Sequence, residues 1–360
     1  MNLKKIFPYV LSLLACGGIQ AQSEQTYIYK VEKAGQLQAE MTQEEAHSIR
    51  NMTLSGNLNA RDFQLMRDSM TQLEVLNLKD VSIKGMTGKG GTSTSNFNLY
   101  TPRTIPEYAF CKEIETVSQD GKTQEPILKG MPNLREVWLP DNLLTIDKYA
   151  FYNCRNLRLL VCSQKKAPNL FPNALNDSIT VVFVPVGCRD TYKNKNRWEN
   201  FNILEGEPIR LSVEVTTPGT LSDEILRTGN QPSDVNYLTV SGTLDESDLK
   251  LIRDLMPKLV RIDLENTNVT RIPDYTFSQK KFLTEAILPA GLQSIGERAF
   301  SGCIRLGQIL TLPAGLQSIG EGAFLDCERL QQVIVTGKEL SIIGKDLFRD
   351  DQNKLIYRPE

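Results

Sequence analysis

The sequence predicts an α/β, β-rich leucine-rich solenoid, a right-handed superhelix of 23–24-residue repeats present in tandem duplicate. Two observations carry this. Leu288-Pro-Ala-Gly-Leu-Gln-Ser-Ile-Gly-Glu297 recurs unchanged as Leu312–Glu321, and each copy leads to Ala-Phe and then Cys: Ala299, Phe300, Cys303 and Ala323, Phe324, Cys327. A fixed period in the twenties marks a solenoid whose unit is a strand, a turn and a return segment. Such a unit cannot bury its own apolar face and must stack on neighbours. The second observation is a longer repetition. Ser55-Gly-Asn-Leu58 through Asp62, Met70 and Leu78 matches Ser241-Gly-Thr-Leu244 through Asp248, Met256 and Leu264.

A further repeat runs from Leu134 through Val137, Leu139-Pro140, Leu143, Ile146 and Ala150-Phe151 to Cys154. In its strand alternate residues face opposite ways, so Val137 and Leu139 point into the core and Glu136 and Trp138 point out. Pro140 ends the strand because it cannot donate to a ladder. Each duplicated block reads as strand, short amphipathic helix, strand, with Asp62 and Asp248 as helix caps or first-turn acids. The first half ends on Val181-Val-Phe183-Val-Pro185-Val-Gly187 with Tyr192, Trp198, Phe201 and Ile203 after it. An open solenoid end needs a cap, and these aromatics can supply one. The second half ends on Leu355-Ile-Tyr357-Arg-Pro359 without such a tail. Its last core is open, closed by that strand, or covered by a partner.

The pattern L-x-x-V-x-L-P-x-x-L-x-x-I-x-x-x-A-F-x-x-C at 134–157 and 282–335 resembles the BspA-like leucine-rich repeat family, common on surface proteins of the Bacteroidetes. The V-P-x-G…Y…W-x-x-F-x-x-I segment is similar to the family's terminating segment, with Cys188 where a small polar residue is usual. The resemblance implies adhesion or recognition of host or partner proteins at the cell surface.

Lys4 and Lys5 before the apolar run Ile6–Ala15 read as a secretory signal peptide cleaved after Ala21. The rival is a lipobox, Leu13-Leu14-Ala15-Cys16, with a lipid anchor on Cys16. The modules are then 22–206, with its aromatic cap, and 207–360. No later run is apolar and long enough to span a membrane. Of the six remaining cysteines, Cys154, Cys303 and Cys327 hold one repeat position as small buried hydrophobes. Cys162 and Cys188 are the one pair to watch for a disulfide.

The first half carries extra chain. Lys84–Ser95 reads as a flexible, turn-rich loop, and the stretch from Phe110 to Pro140 is longer than that from Phe277 to Pro289. Insertions in repeats become loops, often on a binding face. With 41 basic and 43 acidic residues well mixed, no basic face for nucleic acid is expected. The single histidine, His47, leaves no triad and no His-based metal motif. Gly85–Thr92 fails as a phosphate loop because Lys89 is misplaced and no helix begins there. Carboxylate pairs such as Asp350-Asp351 read as solvated surface. Asp68-Ser69-Met70 and Asp177-Ser178-Ile179 are weak matches to an O-glycosylation tripeptide. No cofactor and no catalytic residue is expected.

The reading is therefore a non-enzymatic binding protein. Two residues before each strand-ending proline, or its equivalent, stand Trp138, Val161 and Phe183 in the first module and Ile287, Thr311 and Ile334 in the second. Outward residues on a solvated sheet alternate to polar, and five of these six are apolar. A contiguous apolar patch marks an interaction site. With Glu136 they form the candidate partner-binding set. Phe183 has a competing place beneath the aromatic tail or the other module. A glycan- or peptide-capturing role in nutrient uptake is the alternative, hinted at by Trp138 beside Glu136.

Overall fold

The computed structural model describes residues 25–95, 97–117, 123–175, 181–337, 339–349 and 354–358, without the side chains of 115–117 and 123–126. The signal segment with Cys16, Asp177-Ser178-Ile179, Asp350-Asp351 and Pro359 lie outside them. The chain divides into two compact units, 1–207 and 208–360.

The first unit runs β1 (Thr26–Val31), α1 (Gln43–Ser48), β2 (Asn51–Leu58), α2 (Ala60–Ser69) and β3 (Val75–Ile83). Next come a hairpin of β4 (Met86–Gly88) and β5 (Asn98–Tyr100), then β6 (Thr104–Ile105), then a hairpin of β7 (Cys111–Val117) and β8 (Thr123–Gly130). The repeats give β9 (Glu136–Trp138), β10 (Thr145–Ile146), β11 (Leu159–Val161), β12 (Asn169–Leu170) and β13 (Val181–Val184). The helix α3 (Arg189–Lys193) and β14 (Asn202–Glu205) close the unit. Seven strands form one parallel sheet in the order β1-β2-β3-β9-β11-β13-β14, and the short β6, β10 and β12 form a second.

The second unit repeats the plan: β15 (Arg210–Val215), α4 (Leu221–Arg227), β16 (Tyr237–Gly242), α5 (Glu246–Leu255), β17 (Arg261–Thr267), β18 (Arg271–Ile272) and β19 (Glu285–Ile287). Its later repeats add β20 (Ser294–Ile295), β21 (Ile309–Leu312), β22 (Ser318–Ile319), β23 (Gln332–Thr336), β24 (Ile342–Ile343) and β25 (Leu355–Arg358). The broad sheet is interrupted here: β15-β16-β17-β19 is one sheet and β21-β23-β25 another, while β18-β20-β22-β24 runs on. The sequence explains the gap. Leu283 and Leu288 enclose four residues, whereas the corresponding Leu306 and Leu312 enclose five. One extra residue breaks strand register and leaves Ile309 57% exposed.

Packing within each unit follows the Ala-Phe-x-x-Cys step. Phe300 N–H donates to Ala323 O (2.8 Å), and Cys327 Sγ donates to Phe300 O (3.1 Å). Phe277 is tied in the same way to Ala299 and Cys303, and Phe110 to Ala150 and Cys154. The rings stack in columns: Phe110 on Phe151 at 4.7 Å, and Phe277, Phe300, Phe324 and Phe348 at 4.9, 5.6 and 5.8 Å between centroids. At the end of the first unit Trp198 donates to Pro168 O (2.8 Å) and Tyr192 to Gln164 O (2.8 Å), and both are buried in the core. In the second unit Leu355 and Tyr357 of β25 pack half-buried on the last core.

The helices share a buried acid. Asp62 is the third residue of α2 and accepts from the N–H groups of Asn59, Gly35 and Leu37 at 2.8, 2.6 and 2.9 Å. Asp248 does the same for Asp245, Gly219 and Leu221 in α5. These carboxylates thus close the capping box and also tether the preceding turn. Gly56 and Gly242 lie at φ +89° and +95°, and a Cβ on either would sit 2.3 Å from a carbonyl of the strand before. No larger residue fits.

Two sequence expectations change. Lys84–Ser95 is not a loose loop: it enters the β4–β5 hairpin and is pinned to α2, with Gly91 N on Gln64 Oε1 (3.2 Å). Cys162 and Cys188 form no disulfide; all six described cysteines are free and buried. Lys280 also stands where Cys303 and Cys327 stand in later repeats. It is 4% exposed and donates from Nζ to Arg253 O in the last turn of α5 (2.7 Å). Burial pulls its pKa down to about 8.

Phe300→Ala is expected to destabilise the chain by about 3–5 kcal/mol, and exposed Gln317→Ala by well under 1 kcal/mol, as measured by urea unfolding. Burial pushes the Cys154 and Cys162 thiols up to about 12 from an ordinary 9. Between those values the folded state keeps protons that the unfolded chain has lost. Their contribution is complete below pH 9 and lost as pH rises towards 12, by at most about 1.4 kcal/mol per pH unit per thiol. The urea midpoint should fall from pH 9 to 10.5, and fall less steeply in Cys154→Ala/Cys162→Ala. Equal slopes would show that other groups titrate.

Candidate binding face

The outward face of the first unit's broad sheet is set by register. Asn77 of β3 pairs with Trp138 of β9, Trp138 with Val161 of β11, Val161 with Phe183 of β13, and Phe183 with Leu204 of β14. Towards the other edge Ile28 and Thr53 continue the row. Side chains on neighbouring strands therefore stand about 4.8 Å apart in one line. Val137 and Leu139 point inward, 0% and 2% exposed.

Exposure falls along this row. Ile28 is 42% exposed, Thr53, Asn77 and Trp138 are half-buried, and Val161 and Phe183 are each 1% exposed. Val161 is thus not the exposed contact its position suggested, and Phe183 takes the buried place that competed for it. With Leu159, Val181 and Leu204 they make a second apolar layer, buried but separate from the main core. Burial of each such side chain is favourable by about 1.5–3 kcal/mol. Beyond β14 the chain turns back towards β3, where Glu207 accepts from Lys79 Nζ at 3.1 Å.

Glu136 and Trp138 share the outward side of β9. The indole N–H donates to Glu136 Oε1 at 2.5 Å. The ring's polar atom is therefore satisfied within the protein, and what Trp138 offers outward is an apolar surface. Asn77 Oδ1 accepts from Lys79 N (3.0 Å), which fixes the amide beside it.

In the second unit Ile334 is buried (5% exposed), Ile287 half-buried and Thr311 exposed. Ile334 pairs with Thr311 and Ile356, whereas Ile287 pairs with Asp263 in the other sheet, on the far side of the gap. The expected single column is therefore broken, and Ile334 is no exposed contact. The outward row of this unit is instead polar: Arg210, Tyr237, Arg261 and Glu285 lie in register. Arg210 sits 4.1 Å over the Tyr237 ring, and Arg261 bridges Asp263 (3.1 Å) and Glu285 (3.3 Å). Strand alternation was the signal for these residues, which the proline-based count passes over.

Among the described residues no cluster of His, Cys, Asp or Glu could hold a metal ion, and no helix is long and apolar enough to cross a membrane. His47 is exposed on α1.

Residues 90–181 and 256–358, together more than half of the chain, match the model of the BspA type leucine rich repeat region, in six copies. No curated protein matches. Among solved structures, a leucine-rich repeat protein from Bacteroides ovatus ATCC 8483 is similar at 14% identity, over 85% of this chain and 71% of that one, with a TM-score of 0.27. A leucine rich cell surface protein from Faecalibacterium prausnitzii A2-165 is similar at 11% identity, over 93% and 87%, with a TM-score of 0.19.

Of the two tryptophans, Trp198 is fully buried and Trp138 half-exposed. Iodide should quench one component of the emission, and Trp138→Phe should remove that component. An unquenchable wild type would place Trp138 inside.

Proposed function

Because the chain belongs to the BspA type leucine rich repeat family, we propose that it works by binding: an exported protein that recognises another protein at the cell surface. Leucine-rich repeat proteins generally mediate protein–protein interaction or surface adhesion, which favours binding over catalysis. Export rests on the N-terminal sequence, with cleavage after Ala21 or a lipid on Cys16.

The observation that carries the site is the accessible half of the first unit's outward row. Ile28, Thr53, Asn77 and Trp138 lie in register there, with Glu136 orienting the indole. An aromatic whose polar atom is already satisfied loses no hydrogen bond to water when a partner covers it. Such aromatics carry a large share of interface energy. Val161 and Phe183 lie beneath the surface and hold the strands that present it.

A photo-crosslinking amino acid at Trp138, in protein displayed by its own cells, should capture one defined partner, and the same probe at exposed Gln317 should not. Against the partner so captured, Trp138→Ala should weaken binding about fivefold or more, or about 1 kcal/mol, with the unfolding midpoint little changed. Undiminished binding by a folded Trp138→Ala would exclude this face.

A further inference from the structure

The duplicated blocks place Arg67 and Arg253 at one equivalent position on α2 and α5, each followed by Asp. Both guanidiniums are held alike. Arg67 Nε and Nη2 lie on Asp68 at 2.9 and 3.2 Å, and Arg253 Nε and Nη2 on Asp254 at 2.7 and 3.2 Å. That leaves Nη1 as the forward donor in each.

In the first unit Nη1 is used. It donates to Thr92 O at 2.6 Å and to Tyr108 O at 2.9 Å. Thr92 belongs to the inserted segment, which also places Gly91 N on Gln64 and Lys89 O by Arg61 Nη2 (3.4 Å). So covered, the Arg67 side chain is 6% exposed. The second unit lacks the insertion, and there the Arg253 side chain is 37% exposed. Its Nη1 meets no acceptor among the described residues. Tyr275 corresponds to Tyr108 and shares its left-handed backbone, φ 60° against 57°. Between Tyr275 and α5 lies an open groove of about 670 Å³, floored by the buried Leu244, Leu249 and Val269. That volume is in the range of ligand sites.

We propose that this groove binds an extended, glycine- and serine-rich basic segment of another protein, with Arg253 holding one of its main-chain carbonyls. The first unit shows the occupant's chemistry, because its own insertion fills the equivalent place. That segment, Lys84–Ser95, carries two lysines and no carboxylate. Asp245, Glu246 and Asp274 line the groove in the second unit together with Arg253 and Arg271, and Arg271 is paired with Asp274 (3.2 Å); three acids against two arginines leave one net negative charge, which suits such a chain. A charged donor to a carbonyl is among the stronger hydrogen bonds, and its removal weakens binding by tenfold or more. The groove is separate from the sheet face proposed above, and either assignment can fail without the other.

The test uses a fluorescent synthetic peptide of Lys84–Ser95, titrated into the full-length protein. Saturable binding is expected, weakened at least tenfold by Arg253→Met and unchanged by Trp138→Ala. Hydrogen exchange of the wild type with peptide should slow within Glu246–Leu255 and residues 268–275, an assay that needs no variant to fold. No saturation at millimolar peptide, equal binding by a folded Arg253→Met, or protection elsewhere would each overturn the proposal.

Discussion

Each repeat is fastened to the next through its phenylalanine. At Phe110, Phe277 and Phe300 the amide donates forward to an alanine carbonyl, the carbonyl accepts from a cysteine thiol of the following repeat, and the ring stacks on the next ring. Three residue types serve that joint. Alanine lets the backbones approach, the thiol is a donor small enough to bury, and phenylalanine supplies the apolar area. Sheet register, the short second sheet and the outward row all follow from repeats held at this spacing. Where a repeat meets a helix end there is no phenylalanine carbonyl above it, and Lys280 reaches the carbonyl of Arg253 instead.

The interior was readable in the sequence because its periodicity is strict. Val137, Leu139, Phe151 and Cys154 are buried where alternation and spacing put them. The helices were readable from apolar spacing and from the acids at Asp62 and Asp248, although the second duty of those carboxylates is long-range. What was hidden is tertiary. An outward position in a strand looks the same in sequence whether water or other protein lies over it, so Val161 read as exposed and Phe183 was left with two places. The glycines and serines of 84–95 gave no sign of the helix face that orders them, since Arg67 and Gln64 are distant in sequence. The sheet gap was visible in principle, as one residue too many between Leu306 and Leu312.

The two units solve one local problem with different parts. The first ends on a buried tryptophan and tyrosine whose polar atoms each find a carbonyl. In the second, the last described strand lays half-buried side chains on the core. The first covers its helix with an inserted hairpin, and the second leaves the matching arginine more open. Shared hydrogen bonds at Asp62 and Asp248, and at Gly56 and Gly242, show that these differences are laid over a common frame.

The gap between β19 and β21 bears on how such chains change over generations. An extra residue there interrupts one sheet, yet Ser294 still pairs with Ser318 on the other side and Phe300 still lies 5.6 Å from Phe324. The inserted residue is absorbed as an interrupted ladder and one exposed isoleucine, not as a slipped core. A lineage built this way can gain or shed residues on its broad face while its axis stays in register. That freedom lets the face diverge faster than the fold.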